Sequence, residues 1–236
     1  RHLSGTHNTL TGTPQVFRGN ANEDKELSRL DWPCYGGGLE HSRPSTNGLP
    51  SQVTVPIPLI EGSLTWPGQH SGFLGPKYDP FQVNSDPNSK DFKVSGIQLL
   101  DGMTTNRLTN RKELLTDLNQ QERALDQLAQ QTQFTSQQEV AYSMLASGKL
   151  TEAFDVNKEP AKLRDKYGRC RMGQSLLLAR RLVERGVPYV QANMGHVQSW
   201  DTHSSNFPKL KDRLLPGIDV GVSALIDDLE ERNMLD

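Results

Sequence analysis

Between Met172 and Leu229 the chain carries the pattern that most restricts its fold: apolar residues three and four apart, a short apolar run, a polar loop, then the three-and-four spacing again. Leu176, Leu177, Ala179, Leu182 and Val183 place an inward stripe on a helix over 172–185. Gly186 ends that helix, because a helix stop commonly needs the left-handed backbone that glycine adopts without penalty. Val187-Pro188-Tyr189-Val190-Gln191-Ala192-Asn193-Met194 reads as a strand, with Pro188 tolerated where pairing begins. The loop Gly195–Asn206 follows, and Leu210, Leu214, Ile218, Val222, Leu225 and Leu229 mark a second helix. Helix–strand–loop–helix is the unit of a doubly wound α/β sheet. The pattern therefore predicts Val187–Met194 as an interior strand, nearly fully buried between helices. Ligands in such sheets bind beyond the carboxyl ends of the strands, where the loop Gly195–Asn206 falls.

The rest of the chain is less regular. Its 236 residues suffice for a substantial core, yet only 34% are hydrophobic, and the 20 glycines and 14 prolines concentrate before residue 90. Gly36-Gly37-Gly38, Arg43-Pro44, Leu49-Pro50, Val55-Pro56-Ile57-Pro58 and Trp66-Pro67-Gly68 predict irregular structure over 1–90, with short extended pieces. Val53-Thr54-Val55 with Ile57, Leu59 and Ile60 forms one strand, whose prolines predict an edge or an extended strap. Loop regions of this length in compact domains commonly serve a function, such as covering a site. From Asn110 onward Leu114, Leu115, Leu118, Leu125 and Leu128 mark a helix, and the capping-box pattern Ser136-Gln137-Gln138-Glu139 opens another that Gly148 ends. The chain reads as one domain, with a loop-rich part over 1–109 and helices with a core strand over 110–236.

Charge excludes several partners. With 26 basic and 28 acidic residues spread along the chain, the net charge of −2 offers no electrostatic footprint for nucleic acid. No basic run suits an anionic membrane, and no apolar stretch approaches the roughly 18 residues of a membrane span. Cys34 and Cys170 stand far apart, either as a disulfide in an oxidising compartment or as two partly buried thiols.

The loop Gly195–Asn206 contains Trp200-Asp201-Thr202-His203. Asp201 and His203 offer a carboxylate oxygen and an imidazole nitrogen two residues apart, a donor pair suited to Zn²⁺, Mn²⁺ or a similar divalent ion. A catalytic zinc needs about three protein ligands, so at least one more must come from elsewhere. The plainer possibility is that Asp201 accepts hydrogen bonds in a turn beside a surface His203, while Ser204, Ser205 or Asn206 caps the next helix. His7, His41, His70 and His196 read as loop histidines, and Trp32, Trp66 and Trp200 as packing anchors, although tryptophans in loops also suit a carbohydrate-binding module.

The order of segments resembles a bacterial family, domain-of-unknown-function family 1501, which is grouped with sulfatases and alkaline phosphatases. The matching residues run from Gly148-Lys149-Leu150-Thr151-Glu152-Ala153-Phe154 through Glu159-Pro160-Ala161-Lys162-Leu163-Arg164-Asp165-Lys166-Tyr167-Gly168 and Leu178–Val187 to Trp200-Asp201-Thr202-His203 and Asp227-Asp228-Leu229-Glu230-Glu231-Arg232. Pro67–Gly75, Tyr78-Asp79-Pro80-Phe81 and His7 with Thr11-Gly12 look similar too. The resemblance implies an α/β fold with an alkaline-phosphatase-like sheet, helices on both faces, and Asp201 and His203 as ligands of a divalent metal (Zn, Mn, Ca or Mg). It further implies a piece of an exported, periplasmic sulfatase-like or phosphatase-like hydrolase of small-molecule or polysaccharide esters, with the nucleophile and remaining ligands outside these residues. A non-catalytic binding or scaffold protein that retains the hydrolase fold is the alternative.

Overall fold

The computed structural model describes residues 2–15, 27–46, 48–95, 97, 106–107, 110, 113–114, 149–194 and 199–235. Of the helix predicted from Asn110 onward, Asn110, Glu113 and Leu114 are described and helical, with Leu114 exposed. Its continuation through Leu115–Leu128, the helix from Ser136 to Gly148, and His196 in its loop lie outside the described residues. The described elements run α1 (His2–Thr11), α2 (Tyr35–Ser42), β1 (Gln52–Val55), β2 (Ile60–Glu61), β3 (Leu64–Thr65), β4 (Phe81–Gln82), α3 (Lys149–Phe154), α4 (Ala161–Lys166), α5 (Arg171–Glu184), β5 (Tyr189–Ala192), α6 (Asn206–Lys209) and α7 (Leu215–Glu231). They form a mixed α/β architecture around a small parallel sheet of order β4-β1-β5, beside a separate β2–β3 hairpin. Val53 pairs in register with Val190 on one side and Phe81 on the other.

The parallel pairing agrees with the helix–strand–helix pattern, but the positions of two strands are exchanged relative to expectation. Among the described residues β5 is an edge strand, with Gln191 buried and Tyr189, Val190 and Ala192 half-buried. The centre is β1, all four of whose residues are buried. Its prolines do not interrupt pairing because Pro50 and Pro56 flank the strand, leaving every amide of 52–55 free to join a ladder. Both Val53 and Val55 are fully buried, in a core with Val83, Leu150, Phe154, Tyr167, Leu177 and Leu182.

The region 1–90 is also more helical than its composition predicts. The glycine run Gly36-Gly37-Gly38 lies inside α2. A Cβ at Gly36 would stand 1.9 Å from Gln52 Oε1, and one at Gly37 2.2 Å from Ser71 Oγ, so these glycines let α2 press onto β1 and the 69–72 segment. Tertiary contact here outweighs glycine's poor helix propensity. Cys34 and Cys170 are both free thiols. No helix among the described residues is long and apolar enough to cross a membrane.

Helix α5 follows its predicted span closely, and Gly186 takes a left-handed φ of 94° just beyond it. Its buried face is wider than the predicted stripe: Leu178, Arg180 and Arg181 are inside, whereas Val183 is exposed. The second helix is not uniform. Residues Leu210–Leu214 form a π turn between α6 and α7. Pro216 accounts for the break, because it cannot donate to the carbonyl four residues back and its ring crowds that turn.

Arg180, with no side-chain exposure, meets Glu159 at 3.1 Å, Glu184 at 2.8 Å and Asp228 at 2.8 Å. The contacts to Glu159 and Asp228 are close but lie off the hydrogen-bond axis, so they act as ion pairs more than as directional bonds. Asp228 also accepts from Tyr167 Oη at 2.9 Å and Arg232 Nε at 2.7 Å. Burial works to raise the pKa of both Glu159 and Asp228, yet their cationic and hydrogen-bonding partners outweigh it and hold both below the ordinary carboxylate range. A depressed folded-state pKa contributes stability that is present above the unfolded value, about 4, and is lost as pH falls through the folded value. The urea midpoint should therefore stay level from pH 7 to about 5 and drop below about 4. Asp228→Asn should be less stable at pH 7 and show a shallower acid fall; an equally steep fall in this variant would remove Asp228 from the explanation.

Candidate functional site

The loop that follows β5 is tied to the sheet by Trp200, whose indole N–H donates to the Met194 carbonyl at 3.0 Å. From that anchor the chain turns sharply: His203 and Ser205 both have left-handed backbones, at φ 46° and 51°. Such conformations cost a non-glycine residue free energy, so the surrounding contacts hold them. Lys209 Nζ donates to the Thr202 carbonyl at 3.0 Å, and Thr202 Oγ1 donates to Asn206 Oδ1 at 2.9 Å. Ser205 stands at the N-cap of α6 but makes no side-chain capping bond, so of the three capping candidates in the plainer reading this one does not cap.

This turn brings His203 back onto Asp201. Nε2 of His203 lies 2.8 Å from Asp201 Oδ2, with the imidazole 79% exposed and the carboxylate 37%. The two side chains share one side of the loop at the separation of a direct hydrogen bond. A second imidazole reaches the same oxygen, because His2 Nε2 stands 3.0 Å from Asp201 Oδ2. His2 opens α1 and is held by near-parallel stacking on Trp66, at 6.1 Å between ring centroids and an angle of 30°. Nothing in the spacing of the sequence joins His2 to Asp201; only the packing of α1 against the 64–70 segment does so.

The donor set of one carboxylate and two imidazoles has the chemistry of a divalent-metal site. As arranged, the Nε2 atoms of both imidazoles face a single carboxylate oxygen, so a metal would have to enter between each nitrogen and that oxygen. Among the described residues no three His, Cys, Asp or Glu side chains are disposed to enclose one ion. Asp201 and His203 therefore fit a metal as a partial set of donors.

The other histidines have separate surroundings. His7, on α1 and not in a loop, is fully buried and donates from Nδ1 to the Thr13 carbonyl at 2.9 Å. Its Nε2 is thereby an acceptor, buried without a hydrogen-bond partner among the described residues. His70 accepts from the Gly72 amide at 3.1 Å, and burial holds its pKa below the usual imidazole value. His41 lies in α2, where its ring meets Tyr78 edge-on at 5.1 Å.

Cys34 is not poised as a nucleophile. Burial pushes its thiol up to about 11, and its Sγ contacts Gln52 Oε1 at 3.4 Å. Arg29 and Asp79 form a two-pronged ion pair at 2.7 and 2.6 Å, and Asp79 also accepts from the Ser71 amide at 2.9 Å, so this carboxylate serves to tie segments together.

Of the three tryptophans, Trp66 and Trp200 act as the anchors expected, one under His2 and the other at the end of β5. Trp32 is 44% exposed and packs edge-on against Phe73. The sequence model of a family described as Protein of unknown function (DUF1501) matches residues 2–236. No curated protein and no solved structure matches the chain.

Proposed function

We propose, starting from the fact that this chain belongs to the DUF1501 family, that it acts as part of a metal-dependent hydrolase of sulfate or phosphate esters with an alkaline-phosphatase-like fold. The observation that carries this reading is the 2.8 Å approach of His203 to Asp201 on an exposed loop, anchored where the parallel strand β5 ends. That location is where α/β sheets place their ligands. Asp201 and His203 would hold a divalent ion, with His2 the nearest further donor. When bound, such an ion polarises an ester oxygen or lowers the pKa of a coordinated water. The chain's own contribution is to orient these donors: Trp200 fixes the base of the loop, Lys209 holds its turn, and Trp66 backs the His2 ring.

Metal binding to chelator-dialysed protein tests this directly. Calorimetric titration with Zn²⁺ or Mn²⁺ should show one weak site, as a partial donor set implies, weakened further by at least about tenfold in Asp201→Asn and in His203→Ala. Urea midpoints should remain near that of the parent, because both residues lie in an exposed loop. If both variants retain the parent's affinity, the pair is structural, and a non-catalytic binding protein on the same fold becomes the better reading.

A further inference from the structure

A cavity of about 490 Å³ opens at the carboxyl edge of the parallel sheet, sharing Trp200 with the Asp201 loop but lined by neither Asp201 nor His203. Asn193 and Met194, which follow β5, form one wall with Trp200; Arg171 and Met172, at the start of α5, form another. The third comes from the π turn, through Arg213 and Leu214. The volume lies within the range of small-ligand sites, roughly 300–1,000 Å³.

Its charges are unequal. Arg171 Nε pairs with Asp86 Oδ2 at 2.9 Å, so these two lining groups offset each other. Arg213 also lines the cavity, is exposed, and makes no ion pair among the described residues. The site thus carries one uncompensated guanidinium, a group that binds carboxylate or sulfate oxygens through two parallel N–H donors. Met172, Met194, Trp200 and Leu214 supply apolar surface around it. Soft, unbranched methionines adapt to ligands of varied outline.

We infer that this cavity binds a small organic monoanion, with its carboxylate or sulfate-ester group on Arg213 and its apolar part against Met172, Met194 and Trp200. The inference deepens the ester-hydrolase reading by placing a substrate-sized anion next to the Asp201 loop. Its test requires neither metal nor turnover, so the two can fail separately.

The experiment is a titration of the full chain, in EDTA at pH 7, with phenyl sulfate, benzoate and benzyl alcohol. Binding is followed by NMR of ¹³C-labelled methionine methyls, assigned with Met172→Leu and Met194→Leu. Phenyl sulfate and benzoate should shift the Met172 and Met194 methyls and leave Met234 unmoved. Benzyl alcohol, the uncharged analogue, should bind about tenfold more weakly or worse, and Arg213→Gln should weaken both anions about tenfold. Lys211→Gln, on the same turn but outside this cavity, should leave them unchanged. If benzoate shifts the methyls and phenyl sulfate does not, the anion is a carboxylate; the converse selects a sulfate ester. Unmoved Met172 and Met194 methyls overturn the proposal. So do equal binding of benzyl alcohol, wild-type affinity in Arg213→Gln, or a loss in Lys211→Gln as large as that in Arg213→Gln.

Discussion

Arg180→Ala is expected to lower the unfolding free energy by about 3–5 kcal/mol, the usual range when one partner is removed from a buried ion pair. The size follows from what is left behind. Glu159 and Asp228 have side chains only 9% and 3% exposed, and both lose the charge that compensates their burial. Arg181 still pairs with Glu159, and Arg232 with Asp228, so the loss is partial. Arg181 in turn holds α3 against α5 by donating to the carbonyls of Ala153 and Glu152, at 3.2 and 2.9 Å. Arg180→Met should cost nearly as much as Arg180→Ala, because it restores apolar volume but no charge. Glu184→Gln should cost much less, since that carboxylate is 36% exposed and water can replace its partner. Urea unfolding at pH 7 measures all three. An Arg180→Ala loss under about 1 kcal/mol would mean that the cluster relaxes to admit water, and that its buried charges are not a major support of the α5–α7 contact.

Gly173→Ala is expected to destabilise by about 1–3 kcal/mol, although alanine is intrinsically the better helix former by up to about 1 kcal/mol. The reversal comes from close approach. A Cβ at Gly173 would stand 1.9 Å from the Tyr167 carbonyl oxygen and 2.7 Å from that of Gly168. These are backbone atoms, and Tyr167 cannot easily retreat because its ring is fully buried and its hydroxyl bonds Asp228. Gly38→Ala supplies the opposite case on α2, where nothing lies within 4 Å of the new Cβ. It should stabilise by about 0.5–1 kcal/mol. Opposite signs for these two substitutions, read from denaturant midpoints, would establish that crowding at the α5 start outweighs propensity. A neutral Gly173→Ala would show that the 167–173 turn can shift outward.

Part of the candidate site is legible in the sequence. Asp201 and His203 stand two residues apart after a recognisable strand, which marks a donor pair, but that spacing fits a plain turn as well and only the family resemblance singles them out as ligands. His2 is not legible there, because its link to them passes through Trp66 and the docking of α1. The buried acceptor at His7 is equally hidden: it depends on the Thr13 carbonyl fixing the imidazole tautomer inside a packed helix. Nothing in the sequence pattern distinguishes Arg213. It becomes distinctive only beside Arg171, Asp86 and the end of β5, where one positive charge has no ion-pair partner among the described residues.

The sequence alone determined the elements whose causes are local. Helix α5 and its stop at Gly186 depend on hydrogen bonds and side-chain periods spanning a few residues; the apolar run of the strand that follows is local too, although its ladder is completed only by β1. Tertiary structure decided what depends on distant segments. It placed β1 in the middle of the sheet, because prolines that suggest an edge fall just outside its pairing residues. It made a helix of the glycine run at 36–38, because the absence of side chains at Gly36 and Gly37 allows contact with Gln52 and Ser71. It buried Arg180 by bringing Glu159 and Asp228 together around it. Each of these rests on a pairing of groups far apart in the chain, and a periodicity read along a single segment contains no information about the segment it will meet.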